Sequence, residues 1–295
     1  MKTFLNAIGF LTIFKINPKF YIKKEQFWKI SYYFPFTGIV IGLLMILFYF
    51  SVSFIFPVFV CIILTLGLEV LITGAMHLDG FSDTIDGIFC GEKDKNRIHE
   101  VMKKSDIGVF GVIALIFLFA LKFAFFYMLI TYGNGNKDSY GILLFICFMP
   151  AFGRWTINYN FKKFGSLSRQ VSLVKSFINN GNKKAFLVSS FYLFYLFICS
   201  ALLSGFFFKG SYIFNFSGLS LKIFKAFNFD LNLILILTSL IKSIIIIIII
   251  YFFTYLTGKF FIKKTGALSG DTIGALVEIT EVLYLFFGFI IIKFV

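Results

Sequence analysis

Three aspartates, Asp79, Asp83 and Asp86, stand at i, i+4 and i+7 in the stretch TGAMHLDGFSDTIDG (residues 73–87), directly after an apolar run. On one continuous helix this spacing puts them within an arc of ~60°. Three like charges on one face repel, and beside lipid a bare cluster neutralises itself in part by binding protons. A hard divalent cation removes the conflict, because Mg2+ takes oxygen ligands, keeps several waters and shares them with substrate phosphates. The pattern therefore reads as a metal cradle at a membrane surface rather than as a solvated helix end. Gly80 and Gly87 lie among the acids and let backbone or ligand come close. His77 is adjacent, and a lone His among aspartates reads as a hydrogen-bonding partner rather than a zinc ligand. Glu69 precedes Asp79 by ten residues, about 80° round from it if the helix runs on.

A second acidic stretch is TGALSGDTIGALVEITE, residues 265–281. Gly266, Gly270 and Gly274 recur every fourth residue, a spacing that allows close helix packing. A glycine-rich turn entering a helix also offers free N–H groups to phosphate, which makes Gly270 and Thr272 candidate phosphate contacts. Asp271 and Glu278 are seven apart on one face, and Glu278 sits roughly 10 Å further into the helix. Ionisable groups at such depth are functional candidates, so both join the metal-ligand set, with Glu281 about 80° away. Arg154 falls inside an apolar run, where a guanidinium needs an anionic partner, and is the first candidate for a substrate phosphate. Arg97 is the second. His99 reads as a surface residue, and Lys122 and Lys242 as snorkelling or as pairing with Glu69.

These residues need elements to hold them. Of 295 residues, 59% are hydrophobic and 14% charged, against ~25% charged in ordinary soluble domains. That marks a polytopic membrane protein. Apolar runs at 34–56, 57–76, 107–130, 140–160, 185–208, 231–257 and 271–294 predict an all-α bundle of about seven transmembrane helices in one membrane-embedded domain, 1–295. Residues 1–33, with the aromatic stretch FWKISYYF, predict an interfacial segment. Pro35 suits the first turn of its helix, and Pro57 the turn between the first two spans. No cleavage site follows the N-terminal apolar run, so no signal peptide is expected. The four cysteines show no CxxC pair and predict free thiols.

The net charge of +14 does not point to nucleic acid, because no stretch outside the spans is long enough to form a binding domain. It fits Lys and Arg flanking membrane helices. They crowd the N-terminal segment and loops 77–106 and 161–184, with Lys259, Lys263 and Lys264 in 258–270. The alternate loops are poorer, holding Lys137 in one and Lys209, Lys222 and Lys225 in another. The bias predicts a cytoplasmic N-terminus and puts the acidic stretches on the cytoplasmic face.

The chain resembles the cobalamin synthase family, the adenosylcobinamide-GDP ribazoletransferases of cobamide assembly. The resemblance rests on TGAMHLDGFSDTIDG (73–87), RIHEVMKKSDIGVFG (97–111) and GALSGDTIGALVEITE (266–281), with a weaker echo in FPFTGIVIGLL (34–44) and at Arg154; these touch about a quarter of the chain. The family's middle block is similar to K-D-S-R-x-G, whereas this chain reads Lys103-Lys104-Ser105-Asp106-Ile107-Gly108. Acid and base are exchanged between 104 and 106, so neither Lys104 nor Asp106 enters the catalytic set.

The resemblance implies a Mg2+-dependent transfer. A hydroxyl of α-ribazole, or of its 5′-phosphate, attacks the cobinamide-side phosphorus of adenosylcobinamide-GDP, and GMP leaves. It implies metal ligation by Asp79, Asp83, Asp86, Asp271 and Glu278, with one carboxylate or His77 taking the proton, and Arg154 and Arg97 steadying GMP. It is compatible with a homo-oligomer in the lipid bilayer. Two rivals remain. A CDP-alcohol phosphotransferase also uses Asp-rich helices, but Asp79-Gly80 lacks the Ala-Arg of that pattern. A secondary transporter using Glu69, Glu278 and Lys242 would be expected to show repeated halves, and none is evident.

Overall fold

In a computed structural model, residues 1–104, 106–135, 139–168, 173–178, 182–207 and 231–294 are described. Among them every regular element is a helix, and one isolated bridge joins Ser168 and Leu268. The charges at Lys137, Arg169, Lys209, Lys222 and Lys225 lie outside the described residues.

The N-terminal segment is α1 (Lys2–Leu11) followed by 3-10 turns at Pro18–Phe20 and Lys24–Tyr33. The second of these carries the aromatic stretch and runs straight into α2 (Phe34–Ser53), with Pro35 in its first turn. Pro57 precedes α3 (Val58–Thr73). Then come α4 (Met76–Phe89), α5 (Lys95–Met102), α6 (Val109–Gly135), α7 (Ser139–Cys147) and α8 (Met149–Phe164). After a 3-10 turn at Gly165–Leu167 follow α9 (Leu173–Ile178), α10 (Asn182–Phe207), α11 (Leu231–Thr265) and α12 (Gly270–Phe294). Six segments are long and apolar enough to cross a membrane, seven if α3 and α4 count as one broken span. The sequence-predicted bundle of about seven spans stands with that amendment.

The break is the main departure from the sequence reading. Gly74 and Ala75 both adopt left-handed backbone, with φ of 61° and 58°. Their N–H groups fold back to Leu71 and Val70 and close α3. The chain then leaves through 91° into α4. The predicted single run 57–76 therefore does not continue into the aspartates. Glu69 ends up on a different helix from Asp79, and the angle between them on a shared helix has no meaning. α4 packs beside the first turns of α6 and α12, with Asp86 against Gly108 and Gly111 and Gly80 against Asp271.

The helix at the centre is α8. In the span Ile142–Leu167, 94% of the apolar window is buried, against 22% for the span of α6. Several of its buried side-chain donors reach neighbouring segments. Asn158 Nδ2 donates to the Ser31 carbonyl at 2.7 Å and to Ser189 Oγ at 3.0 Å, and Trp155 Nε1 donates to Ser190 Oγ at 2.8 Å. Buried polar groups need such partners in a lipid-surrounded interior.

The Lys-rich segments meet at one end. Ile13 N–H donates to the Ile72 carbonyl, tying the N-terminal segment to the end of α3. Leu268 N–H donates to the Leu167 carbonyl, tying the α11–α12 turn to the segment after α8. The Lys95 side chain packs against Gly266, which brings the loop after α4 to the same turn.

Candidate active site

The site begins with the crossing of α4 and α12. A Cβ at Gly80 would stand 2.9 Å from Asp271 Cα, and one at Gly274 2.9 Å from the His77 carbonyl oxygen. Only hydrogen fits at those two positions, so the helices touch backbone to backbone. The contact sets Asp79 and Asp83 of α4 beside Asp271 of α12 along one open cleft of about 730 Å3. Ser82, Lys103 and Lys104 line the same cleft. Among the described residues, none of the three carboxylates forms an ion pair. Partial burial, then the negative charges of Asp79, Asp271 and Asp86, push the Asp83 carboxyl up to about 6. The protein has brought acids together without neutralising them.

A smaller chamber of about 300 Å3 shares Asp79 and Asp271 with the cleft, and His77 and Gly270 also line it. His77 is buried, and its Nε2 has no hydrogen-bond partner among the described residues.

The remaining predicted site residues separate from this group. Asp86 turns away from the cleft. Its carboxylate accepts the N–H of Gly108 and of Gly111, both at 2.8 Å, and caps α6 from outside. Thr272 is buried and engaged in a reciprocal cap of α12: its Oγ1 accepts the Ser269 N–H at 2.8 Å, and Ser269 Oγ accepts the Thr272 N–H at 3.2 Å. Its hydroxyl therefore has a structural task rather than a phosphate to bind. Gly270 starts α12 with open space where a side chain would be. Arg97 is exposed and pairs loosely with Glu92 at 3.5 Å. His99, expected at the surface, is buried. The four cysteines are free, as expected.

Glu278 and Arg154 belong to a second, interior cluster. Lys122 Nζ lies 2.7 Å from Glu278, 2.5 Å from Glu281 and 3.4 Å from Glu69. Arg154 pairs with Glu281 and, at 3.5 Å, with Glu69. All five side chains are buried. The expectation that Arg154 needs an anion holds, but the anion is a pair of glutamates rather than a substrate phosphate. Glu278 likewise has a lysine where a metal was expected.

Among the described residues, no three His, Cys, Asp or Glu side chains stand together as a ready-made metal group. The donor chemistry of the cleft nevertheless suits Mg2+: Asp79, Asp83 and Asp271 offer only oxygens, are unpaired with bases, and leave positions for water and phosphate. Asp86 and Glu278, both occupied elsewhere, do not fit that set. Sequence reasoning missed Lys103 and Ser82 and set Lys104 aside. The signal was available for the lysines, since two adjacent bases stand in the same charged segment, 77–106, as the aspartates.

A helical membrane protein whose interior glutamates are paired with Lys122 and Arg154, and which among the described residues keeps carboxylates without ion pairs beside lysines in a cleft at its Lys-rich end, has the make-up of a membrane-embedded transferase acting on a phosphorylated substrate. The family model described as cobalamin-5-phosphate synthase matches residues 3–289, and the chain belongs to that family. It is 28% identical over 304 residues to the adenosylcobinamide-GDP ribazoletransferase of Fusobacterium nucleatum, covering all of this chain and 99% of that one. It is 30% identical over 287 residues to the protein of the same name from Alkaliphilus metalliredigens, covering 97% and 94%. A Thermoanaerobacter relative, also so named, is 35% identical over 160 residues, covering 54% of this chain and 60% of that protein. No solved structure matches the chain.

Proposed function

We infer that this chain is an adenosylcobinamide-GDP ribazoletransferase, performing the last assembly step of cobalamin biosynthesis. A ribose hydroxyl of α-ribazole, or of its 5′-phosphate, attacks the cobinamide-side phosphorus of adenosylcobinamide-GDP. A new O–P bond forms, the bridging P–O bond to GMP breaks, and the hydroxyl proton passes to the enzyme. The observation that carries the reading is the cleft where Asp79, Asp83 and Asp271, unpaired, face Lys103 and Lys104.

Asp79, Asp83 and Asp271 would hold Mg2+, which when bound supplies charge neutralisation on the diphosphate oxygens. Lys103 and Lys104 draw the anionic donor into the cleft and balance the charge that gathers on departing GMP. His77, which lines the chamber that Asp79 also lines and whose Nε2 has no hydrogen-bond partner among the described residues, takes the hydroxyl proton. Arg97 and the first turn of α12 at Gly270 stand outside this minimal machinery.

The Lys-rich end faces the cytoplasm in this reading, with the N-terminus on the same side. The charge bias of the loops supports it, as does the meeting of those loops at the cleft. A Lys95→Cys protein should react with a membrane-impermeant maleimide from the cytoplasmic side alone, and labelling of intact cells would reverse the orientation. The activity is tested with purified protein in lipid, given adenosylcobinamide-GDP, α-ribazole 5′-phosphate and Mg2+. GMP and a completed corrinoid should appear in equal amounts. Consumption of a cytidine diphosphate ester instead, or uptake into vesicles without GMP release, would overturn it.

A further inference from the structure

The two cavities that share Asp79 and Asp271 as a common wall differ in size and chemistry. The larger is open and flanked by Lys103 and Lys104. The smaller is walled by the rings of Phe10, Phe34, Phe161 and Phe177. Phe161 and Phe177 stack at 5.3 Å with 15° between planes, and Phe10 and Phe34 at 5.8 Å with 12°. Phe34, Phe161 and Phe177 are all buried. The polar side chains of the chamber, His77, Asp79 and Asp271, all come from the α4–α12 crossing.

We propose that this aromatic chamber seats the fused-ring base of the acceptor nucleoside, so that the two substrates approach the Asp79–Asp271 wall from opposite sides. The assignment rests on the functional reading above and adds to it the place of each substrate. A flat, weakly polar heteroaromatic base stacks on phenylalanine rings and loses little by leaving water. Guanine does not suit the chamber, because its donors and acceptors would face apolar walls unpaired. The donor is also the larger and the more anionic substrate, which matches the open, lysine-flanked cleft. His77 lines the chamber, and its buried Nε2 is a polar atom with no hydrogen-bond partner among the described residues.

Val174 of α9 lines the chamber and is not part of the proposed chemistry. Binding is read by equilibrium dialysis on the full chain in lipid nanodiscs, with α-ribazole alone and with adenosylcobinamide-GDP alone. Val174→Phe, which fills the chamber, should weaken α-ribazole binding at least about tenfold and leave donor binding within about twofold. Val174→Ala, which enlarges it, should shift preference toward an analogue whose base carries an additional ring. The proposal falls if wild type does not bind α-ribazole, or if Val174→Phe retains donor and binds α-ribazole as wild type does. It also falls if donor binding alone is lost. Where Val174→Phe loses both ligands, Val174→Ala decides: an unchanged preference between the two bases overturns the assignment. A wild type that binds both substrates yet releases no GMP would defeat the functional reading and leave the chamber's occupant standing.

Discussion

Two groups of carboxylates share α12 and are handled in opposite ways. Asp271, at its start, joins Asp79 and Asp83 in an open cleft with no ion pair among the described residues. Glu278 and Glu281, two to three turns further on, join Glu69 in the interior and are closed off by Lys122 and Arg154. An acid surrounded by lipid-facing helices must be paired or protonated, whereas one at the bundle end can wait for a cation from solution. Burial alone is therefore a poor guide to function here. What separates the two groups is whether the protein itself supplies the counter-charge.

The sharpest way to break this comparison is to remove a base from the closed group. Arg154→Ala leaves three interior glutamates facing one lysine, and breaking a buried pair in this way costs roughly 3–5 kcal/mol. The variant should be recovered poorly from membranes and unfold far below wild type. Arg154→Met with Glu281→Met removes one charge of each sign and should regain most of that stability. A double variant that is stable but inactive would give Arg154 a part in the reaction and erase the distinction. In the open group the effects should invert. Asp83→Asn should lower turnover by about 10²–10³-fold while leaving the unfolding temperature near that of wild type. Glu278→Gln should lower the unfolding temperature and leave the midpoint of a Mg2+ titration where it was. Equal responses from Asp83 and Glu278 in that titration would merge the groups.

The sequence carried much of this. Apolar runs of span length marked the bundle, the prolines marked helix starts, and both acidic stretches were visible as charges where few were expected. The pairing of Arg154 was legible as a need for an anion. The identity of that anion was not, because Glu281 reaches Arg154 across 127 residues and local spacing says nothing of such distances. The break between α3 and α4 was hidden for another reason. Gly74 is an ordinary place for left-handed backbone, but a second such residue at Ala75 has no signature, since alanine rarely adopts it. The helical spacing of Asp79, Asp83 and Asp86 gave three aspartates one reading. The structure gives them two, and the difference comes from what packs against the last turn of α4.

That difference makes Asp86 the finest test of the comparison. Its two bonds to Gly108 and Gly111 span 22 and 25 residues and fix the start of α6, just after the segment that carries Lys103 and Lys104. A negative charge there also faces the positive end of the α6 dipole. Asp86→Asn keeps one acceptor oxygen and loses the charge, so the cap weakens by about 1–2 kcal/mol rather than vanishing. The lysines would then be held less firmly, and the Michaelis constant for adenosylcobinamide-GDP should rise by roughly tenfold, in proportion to a loss of that size. The Mg2+ midpoint should stay put, because the carboxylate does not line the cleft. Asp86→Ala removes both acceptors and should go further in the same direction. If Asp86→Asn moved the Mg2+ midpoint as far as Asp83→Asn does, Asp86 would be a ligand after all. The open group would then extend along the whole face of α4 rather than stopping at Asp83.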